Sequence, residues 1–375
     1  MGKRIVFLDY IRVIACFLVM LVHASENFYP APGATDMAGP MSFLVNETDR
    51  LWVSIYDGCS RIAVPLFMIV SAFLLVPMKE GQSSMEFYRR RAVRILPPFL
   101  IFIVLYSTVP ILWHQIDIET SMTDLSRTFL NFPTLAGHLW FMYPLIGLYL
   151  FIPMISPWLA KVSAKEERFF IVLFALSTCM PYLNHWLGEL WGQCFWNEFH
   201  TLWYFSGYLG YLVLAHYIRA HLDWSRSKRL TIGTIMTLVG TVWTVLSFYI
   251  QAVPGVLHET PVIEIGWSFC TINCLICTTG VFLLFTCIKK EKAPAIVAEL
   301  SNLSYGMYLI HIFWLGMWVS VIKGEFGTVI EIPLIAIATY LSCWVSCKVI
   351  SMLPYGNWVV GTAGKPRKPI QTVTH

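Results

Sequence analysis

The sequence LDYIRVIACFLVMLVHAS, residues 8–25, indicates a membrane protein, because it is an apolar run long enough to cross a lipid bilayer. Three ionisable residues interrupt it: Asp9, Arg12 and His23. The eleven-residue offset from Arg12 to His23 amounts to three helical turns plus about 20°. They therefore share one helix face at depths about 16 Å apart. Asp9 and Arg12 break the apolar core that a cleavable signal peptide needs, so we expect this segment to remain as the first membrane span.

The rest of the chain has the same character. Hydrophobic residues make up 57% of it and charged residues only 13%, with a mean hydropathy of +0.64. We predict an all-α, polytopic membrane protein whose loops are too short for a second soluble catalytic domain. About ten transmembrane helices are expected, at residues 5–25, 59–77, 94–113, 138–159, 169–187, 202–218, 230–252, 265–288, 303–322 and 329–350.

The distribution of positive charge predicts the orientation. If the N-terminus is cytoplasmic, all but five of the 26 Lys and Arg residues fall at cytoplasmic ends, and the exceptions are Arg12, Arg50, Arg61, Arg127 and Lys323. Such a bias in short loops is the positive-inside rule, and it places both termini in the cytoplasm with an even number of spans. The two longer connections, residues 26–57 and 114–137, are then expected to face the exterior.

We predict one membrane domain, residues 1–355, and a short basic cytoplasmic tail, residues 356–375. The ten cysteines lie almost entirely in apolar spans, where free thiols act as small hydrophobes, so we expect no disulfide framework. Cys270, Cys274 and Cys277 have a helical spacing that suggests a metal site, but neither a histidine nor a carboxylate lies beside them. We interpret them as core residues and expect no metal.

The first span carries the strongest chemical signal. An arginine in hydrocarbon needs a partner inside the bundle, and Asp9 is the nearest one for Arg12. His23 near the outer surface is either an interfacial histidine bonded to a loop or a neutral base that takes a proton from a hydroxyl. Glu26, one turn further on, either orients the imidazole or is a solvated loop carboxylate.

A basic cluster precedes the third predicted span, in FYRRRAVRILPPF, residues 87–99. Arginines at this depth serve topology or bind anionic lipid headgroups, or else they bind phosphate through the guanidinium fork. Arg91 and Arg94 are one turn apart and would present a paired grip. A glycine-rich nucleotide loop does not accompany them.

Two further segments place aromatic and histidine residues inside the bundle. HLWFMYPLIGLYLFIP, residues 138–153, has Trp140 at its outer end and Tyr149 about two and a half turns deeper. An aromatic belt explains Trp140, although aromatic rings also stack on sugars. SYGMYLIHIFW, residues 304–314, places Tyr308 and His311 near mid-membrane, where a buried core histidine is the simpler interpretation of His311.

These segments, together with VPLFMIVSAFLL at residues 64–75, resemble in the same order the acyltransferase 3 family of integral-membrane O-acyltransferases. The variant SRIAVPLF, residues 60–67, resembles the branch that acetylates surface glycans and their lipid-linked precursors. The chain departs from the family where it has Ser71 and Ala72 instead of Ser-Gly. We expect a standalone membrane module without an additional periplasmic esterase-like domain.

The resemblance implies transfer of an acyl group, most often acetyl, from cytoplasmic acyl-CoA to a hydroxyl of a surface or lipid-linked carbohydrate. It implies that His23 and Arg12 are the catalytic residues of one motif, in which Arg12 is the buried member, and that Arg91 and Arg94 bind acyl-CoA. The less defined positions, which line a path for acceptor or form a pore, are Asp9, Arg61, Trp140, Tyr149, Tyr308 and His311.

The same resemblance implies a multi-pass protein of the bacterial inner membrane. We expect acyl-CoA, a carbohydrate or glycolipid acceptor and membrane lipids as partners, without nucleic acid and without a permanently bound cofactor. Two alternatives remain at this point: a transporter or flippase for a lipid-linked saccharide, and a non-catalytic membrane scaffold. The acceptor, the acyl length, the oligomeric state and a covalent or general-base role of His23 stay open.

Overall fold

The chain folds almost entirely into helices. The computed structural model describes residues 4–28, 41–42, 47–129, 131–188, 201–254, 257–258 and 260–362. The helices are α1 (Val6–Glu26), α2 (Glu47–Ser60), α3 (Ala63–Leu75), α4 (Ser84–Leu112), α5 (Ile118–Ser126), α6 (Met142–Leu159), α7 (Ala164–Ser177), α8 (Met180–Leu187), α9 (Tyr208–Ala220), α10 (Arg226–Gln251), α11 (Thr260–Ile263), α12 (Ile272–Thr286), α13 (Ala295–Ile322), α14 (Thr328–Met352) and α15 (Gly356–Val359). Short 3₁₀ helices cover Arg127–Phe129, Thr134–Phe141, Trp203–Phe205 and Ile265–Trp267. Two two-residue strands, β1 (Met41–Ser42) and β2 (Leu257–His258), pair antiparallel.

The polytopic helical fold predicted from the sequence is confirmed. In the described ranges, 9 helical segments are long and apolar enough to cross a membrane, and they correspond to all but one of the predicted spans. The exception is 202–218, where α9 has 13 residues and a length of about 20 Å, shorter than the hydrocarbon core. Arg219 near its end donates hydrogen bonds to the carbonyls of Phe73 and Val76, at 2.9 and 3.3 Å. Thus α9 still returns the chain to the end of the bundle where α3 ends.

The helices run alternately between two ends of the bundle. At the first, called the basic end below, Arg4 donates to the carbonyl of Ala298 at 3.2 Å. At the second, called the distal end, Lys323 donates to the carbonyl of Asn27 at 2.6 Å. Each contact joins chain segments that the charge pattern assigns to one side of the membrane. By the positive-inside rule, we expect the basic end to face the cytoplasm.

The first span, α1, lies in the middle of the bundle. It packs against α2, α3, α12, α13 and α14, and Ile11, Ala15 and Ala24 are completely buried. A helix that is apolar over most of its circumference can bury most of its sides, and in α1 only Ile14 is exposed, at 38%. Arg12 and His23 are therefore held by protein on several sides, at opposite halves of one central helix.

Helices α10 and α12 approach each other closely through small residues. A Cβ added at Gly240 would lie 2.6 Å from the backbone nitrogen and the Cβ of Cys277, and one at Gly280 would lie 2.6 Å from the backbone nitrogen of Thr237. Membrane helices gain association energy from such backbone proximity, because lipid offers no hydrophobic driving force.

Two predicted boundaries differ from those in the structure. The expected exterior loop 26–57 contains α2, whose last turns lead into α3, so its assignment as loop is wrong for residues 47–57. The expected tail 356–375 begins with α15, and Val360 is completely buried against α13 at Gly306. Residues 363–375 of that tail lie outside the described residues.

Candidate active site

His23 lies on the last turn of α1 and is held by a carboxylate. Its Nδ1 is 2.7 Å from Oε2 of Glu26, and each side chain is 20% exposed. The i, i+3 spacing places both on one helix face, which makes this contact local. In the neutral imidazole, Nδ1–H donates to the carboxylate, so Nε2 keeps the lone pair that can accept a proton. Glu26 is thus an orienting residue and not a solvated loop carboxylate.

The Glu26 carboxylate has a second charged neighbour. Arg61 Nη2 lies 3.5 Å from Glu26 Oε1, while the same guanidinium bonds Asp57 at 2.5 and 2.9 Å. Arg61 also lies over the Trp267 ring, 4.4 Å from its centroid. Asp57 is completely buried, at the end of α2. Buried charges persist when each is paired, and this chain of pairs fixes α2 against the end of α1.

Two more histidines converge on His23 from other elements. The His311 ring on α13 stacks on His23 with centroids 5.1 Å apart, and the His138 ring lies 5.3 Å from that of His311. His311 donates from Nδ1 to the carbonyl of Tyr308 at 2.6 Å, and the Tyr308 hydroxyl donates to the carbonyl of His138 at 2.9 Å. The first bond orients the His311 ring within α13, and the second joins α13 to the 3₁₀ segment that carries His138.

The ring nitrogens on the far side of these two histidines are buried. Within the described residues, Nε2 of His311 and Nε2 of His138 have no hydrogen-bond partner, and His311 is completely buried. Buried polar atoms are usually paired, so an unpaired one calls for an explanation such as a substrate or a catalytic role. Both atoms belong to the group of rings beside His23.

A cavity of about 120 Å³ opens next to this group. It is lined by His23, Glu26, Arg61, His138 and Tyr308 together with apolar side chains. The remaining lining residues are Val19, Val22, Ala63, Val64, Phe67, Trp140, Phe141 and Phe269. A larger cavity of about 690 Å³ lies between α8 and α10, but its lining is almost entirely apolar and includes none of the groups around His23. The titratable groups around His23 therefore line the smaller cavity, called the distal cavity below.

Trp140 forms an aromatic wall of the distal cavity. Its ring stacks on that of Phe269 with centroids 5.3 Å apart and planes at 23°. Both rings line the cavity, so a flat apolar surface adjoins the polar groups of His23 and Glu26. Such a combination suits a ring-shaped polar ligand with one hydroxyl directed at the imidazole.

The sequence suggested Asp9 as the partner of Arg12. At the basic end of the structure, however, the Asp9 carboxylate bonds mainly to other residues. Arg12 Nη1 is 4.0 Å from Asp9 Oδ1, at the limit of an ion pair. Arg4 bonds the same carboxylate at 2.6 and 3.0 Å, and the Ser301 hydroxyl donates to it at 2.7 Å. The Asp9 carboxylate therefore fixes the start of α1 to α13 and leaves Arg12 largely available.

Arg12 instead belongs to a group of arginines, called the arginine cluster below. Arg12 and Arg94 repel each other electrostatically, as do Arg91 and Arg94, and Tyr149 interacts with both Arg12 and Arg91. Nε of Arg91 is buried and, in the part of the chain that is described, lacks a hydrogen-bond partner. An anion bound by these arginines would relieve their mutual repulsion and give Nε of Arg91 a hydrogen-bond partner.

The structure thus sorts the predicted site residues into two groups on the two halves of α1. Those at the distal cavity are His23, Arg61, Trp140, Tyr308 and, directly beneath the His23 ring, His311. Those at the basic end are Asp9, Arg12, Arg91, Arg94 and Tyr149, whose hydroxyl is 3.4 Å from that of Ser71. An axial rise of about 16 Å along α1 separates Arg12 from His23.

Two residues of the distal group, Asp57 and His138, were absent from the predicted site, and for Glu26 the sequence left open whether it orients His23 or is a solvated loop carboxylate. The i, i+3 spacing of Glu26 with His23 and the i, i+4 spacing of Asp57 with Arg61 were local signals that sequence can provide. His138 had none, because its approach to His311 depends on how separate helices pack.

Comparison with known proteins identifies the family of the chain. The nodulation protein NolL of Sinorhizobium fredii is 22% identical over 236 residues, which covers 60% of this chain and 59% of NolL, so the chain spans about three fifths of that relative's length. No solved structure matches. The model of the acyltransferase 3 family, described as an acyltransferase domain, matches residues 5–348 and so includes both groups of site residues. The chain belongs to the acyltransferase 3 family and is a membrane acyltransferase.

Proposed function

We propose that this protein transfers an acyl group, with acetyl as the first candidate, from cytoplasmic acyl-CoA to a hydroxyl of a surface or lipid-linked carbohydrate. One observation carries the proposal: α1 presents the His23–Glu26 pair to the distal cavity and the arginine cluster at its other half. A donor that fits is extended, with anionic groups at one end and a reactive acyl group at the other. Acyl-CoA is such a molecule.

In this proposal the arginine cluster binds the phosphates of the donor. Arg91 and Arg94 are one helical turn apart on α4, and Arg12 joins them from α1. Guanidinium groups bind phosphate through charge-assisted, often bidentate hydrogen bonds. The acyl arm then extends along α1 towards His23, so that donor binding and chemistry occur at different depths.

The transfer step uses Nε2 of His23 as a general base. It takes the proton of the acceptor hydroxyl while the oxygen attacks the thioester carbonyl; the C–S bond then breaks and the thiolate of CoA leaves and is protonated. Glu26 stabilises the imidazolium that forms, and Arg61 holds Glu26 in place. In a covalent route the same nitrogen would carry the acyl group, and an acyl-histidine trapped by rapid quenching and mass spectrometry would distinguish it.

The acceptor site belongs to the distal cavity. Trp140 and Phe269 offer a stacked aromatic surface for a sugar ring, and the cavity lies at the end that we expect to face the exterior. We therefore place the protein in a bacterial inner membrane, taking donor from the cytoplasm and acceptor from the outer face. Neither a nucleic acid nor a permanently bound cofactor enters this reaction.

The test is acceptor-dependent release of CoA thiol by the purified protein in nanodiscs, with acetyl-CoA and a panel of lipid-linked saccharides. Thiol release that matches the amount of acylated saccharide supports the enzyme. Movement of saccharide across the membrane without thiol release would instead indicate a transporter or flippase. If neither thiol release nor saccharide movement occurs, the protein is a non-catalytic scaffold. Mass spectrometry of glycans from cells with and without the gene would then identify the acyl group and its carrier together.

A further inference from the structure

A second cluster of titratable groups lies at the basic end, outside the residues proposed to act in acyl transfer. It consists of Glu167 on the first turns of α7 and of His216 and His221 at the end of α9. We infer that these three side chains form a binding site for a divalent transition-metal ion, with Zn²⁺ as the best fit. Such a site would hold α9, the helix that is too short to cross the membrane, against α7.

The ligand atoms are already close together. Nδ1 of His216 is 2.8 Å from Oε1 of Glu167, and Nε2 of His221 is 3.2 Å from Oε2. One ligand atom from each residue can be chosen so that all lie within 4.8 Å of one another. Ligands at about 2.1 Å from a tetrahedral zinc are about 3.4 Å apart, so binding requires shifts of roughly an ångström.

The burial of these side chains and the unpaired atoms of two of them favour a bound ion over a network of hydrogen bonds alone. Glu167 is completely buried and His216 is 5% exposed. Oε2 of Glu167 and Nε2 of His221 face each other, yet both are buried and lack a hydrogen-bond partner among the residues described. A divalent cation bound between the carboxylate and the two imidazoles would give these buried atoms the partner that they lack.

The ligand types select the metal. Two imidazole nitrogens and one carboxylate oxygen form a set that zinc uses, with a water molecule in the fourth position, whereas Mg²⁺ and Ca²⁺ prefer oxygen ligands. The His221 side chain is 24% exposed, which provides a route for entry and for that water. This site could not be predicted from the sequence, because 49 positions separate Glu167 from His216.

The experiment measures metal content in the full chain, purified in nanodiscs with an affinity tag that contains no histidine. After equilibration with Zn²⁺ and removal of the unbound metal, elemental analysis should find about one zinc per wild-type chain. E167Q and H221A should each bind Zn²⁺ at least about tenfold more weakly. The matched control is H185A, which removes an exposed histidine of α8 outside the cluster and should keep the zinc.

Zinc should also raise the thermal transition of the wild type and of H185A but not that of E167Q, because a ligand stabilises only the fold that binds it. H221A decides the matter if E167Q fails to fold, since His221 is partly exposed. Zinc that persists in both variants but disappears in H23A would place the metal at the distal cavity and overturn the inference. Wild-type protein that retains no zinc after equilibration would also overturn it.

Discussion

The Glu26 carboxylate connects His23, the general base that we propose, to the rest of the protein. One of its oxygens contacts His23 Nδ1 at 2.7 Å, and the other faces the Arg61 guanidinium at 3.5 Å. Because each oxygen has its own partner, the carboxylate cannot rotate without breaking one of the two contacts. The His23 ring therefore has one preferred tautomer, with Nε2 as the proton acceptor.

We expect Glu26→Gln to lower kcat about 10- to 100-fold, the range seen when a residue that orients a functional histidine is changed. The KM for acyl-CoA should stay the same, because the arginine cluster lies at the other half of α1. Steady-state kinetics of CoA release measures both. Glu119→Gln is the matched control, since Glu119 is an exposed carboxylate of α5. An unchanged kcat in Glu26→Gln would show that the carboxylate does not orient the base.

Arg91 and Arg94 should affect donor binding more than chemistry. Each charge-assisted hydrogen bond to phosphate contributes about 1.5–3 kcal/mol, so Arg91→Ala and Arg94→Ala should each raise the KM for acyl-CoA by about tenfold or more. The kcat should change by less than about threefold, the pattern of lost uniform binding. Arg89→Ala, an exposed arginine of the same turn, is the control. A KM that rises equally in all three variants would indicate a general charge effect.

Among the elements, the pair α10 and α12 depends on backbone proximity. Gly240→Ala would push a Cβ to within 2.6 Å of Cys277, and overpacking of this kind costs about 1–3 kcal/mol. We expect a lower thermal transition in fluorescence-detected size-exclusion chromatography. Gly316→Ala on α13 has no atom within 4 Å of its new Cβ, so it should be neutral or stabilising. Equal transitions for the two variants would contradict close packing.

The helical elements could be predicted from sequence because each span is a continuous apolar run, and an apolar run of that length has few alternatives to a membrane helix. The contacts of His23 with Glu26 and of Arg61 with Asp57 are within one helical turn or slightly more, so sequence spacing also contained them. The approach of His138 and His311 to His23 could not be predicted, since it depends on the packing of three segments that are distant along the chain. The length of α9 was overestimated because the apolar run starts before the helix does.

For the whole molecule, the central expectation is orientation. If the basic end faces the cytoplasm, Ser227→Cys at the start of α10 should react with a membrane-impermeant maleimide only after the cells are opened. Ser126→Cys at the end of α5, on the distal side, should react in intact spheroplasts. Both serines are exposed and differ from cysteine by one atom, and the wild type measures the background from native cysteines. The reverse pattern would contradict the orientation inferred from charge.

We propose that acyl-CoA binds at one half of α1 and that acyl transfer takes place at the other half, on His23. The most direct test compares acceptor-dependent CoA release by the wild type and by His23→Ala, both purified in nanodiscs and shown to have the same thermal transition. Loss of a general base typically lowers the rate by about 10²–10⁴-fold. We predict a loss of that size in kcat for His23→Ala, with acyl-CoA binding retained. Saccharide acylation by His23→Ala at the wild-type rate would show that acyl transfer does not depend on His23.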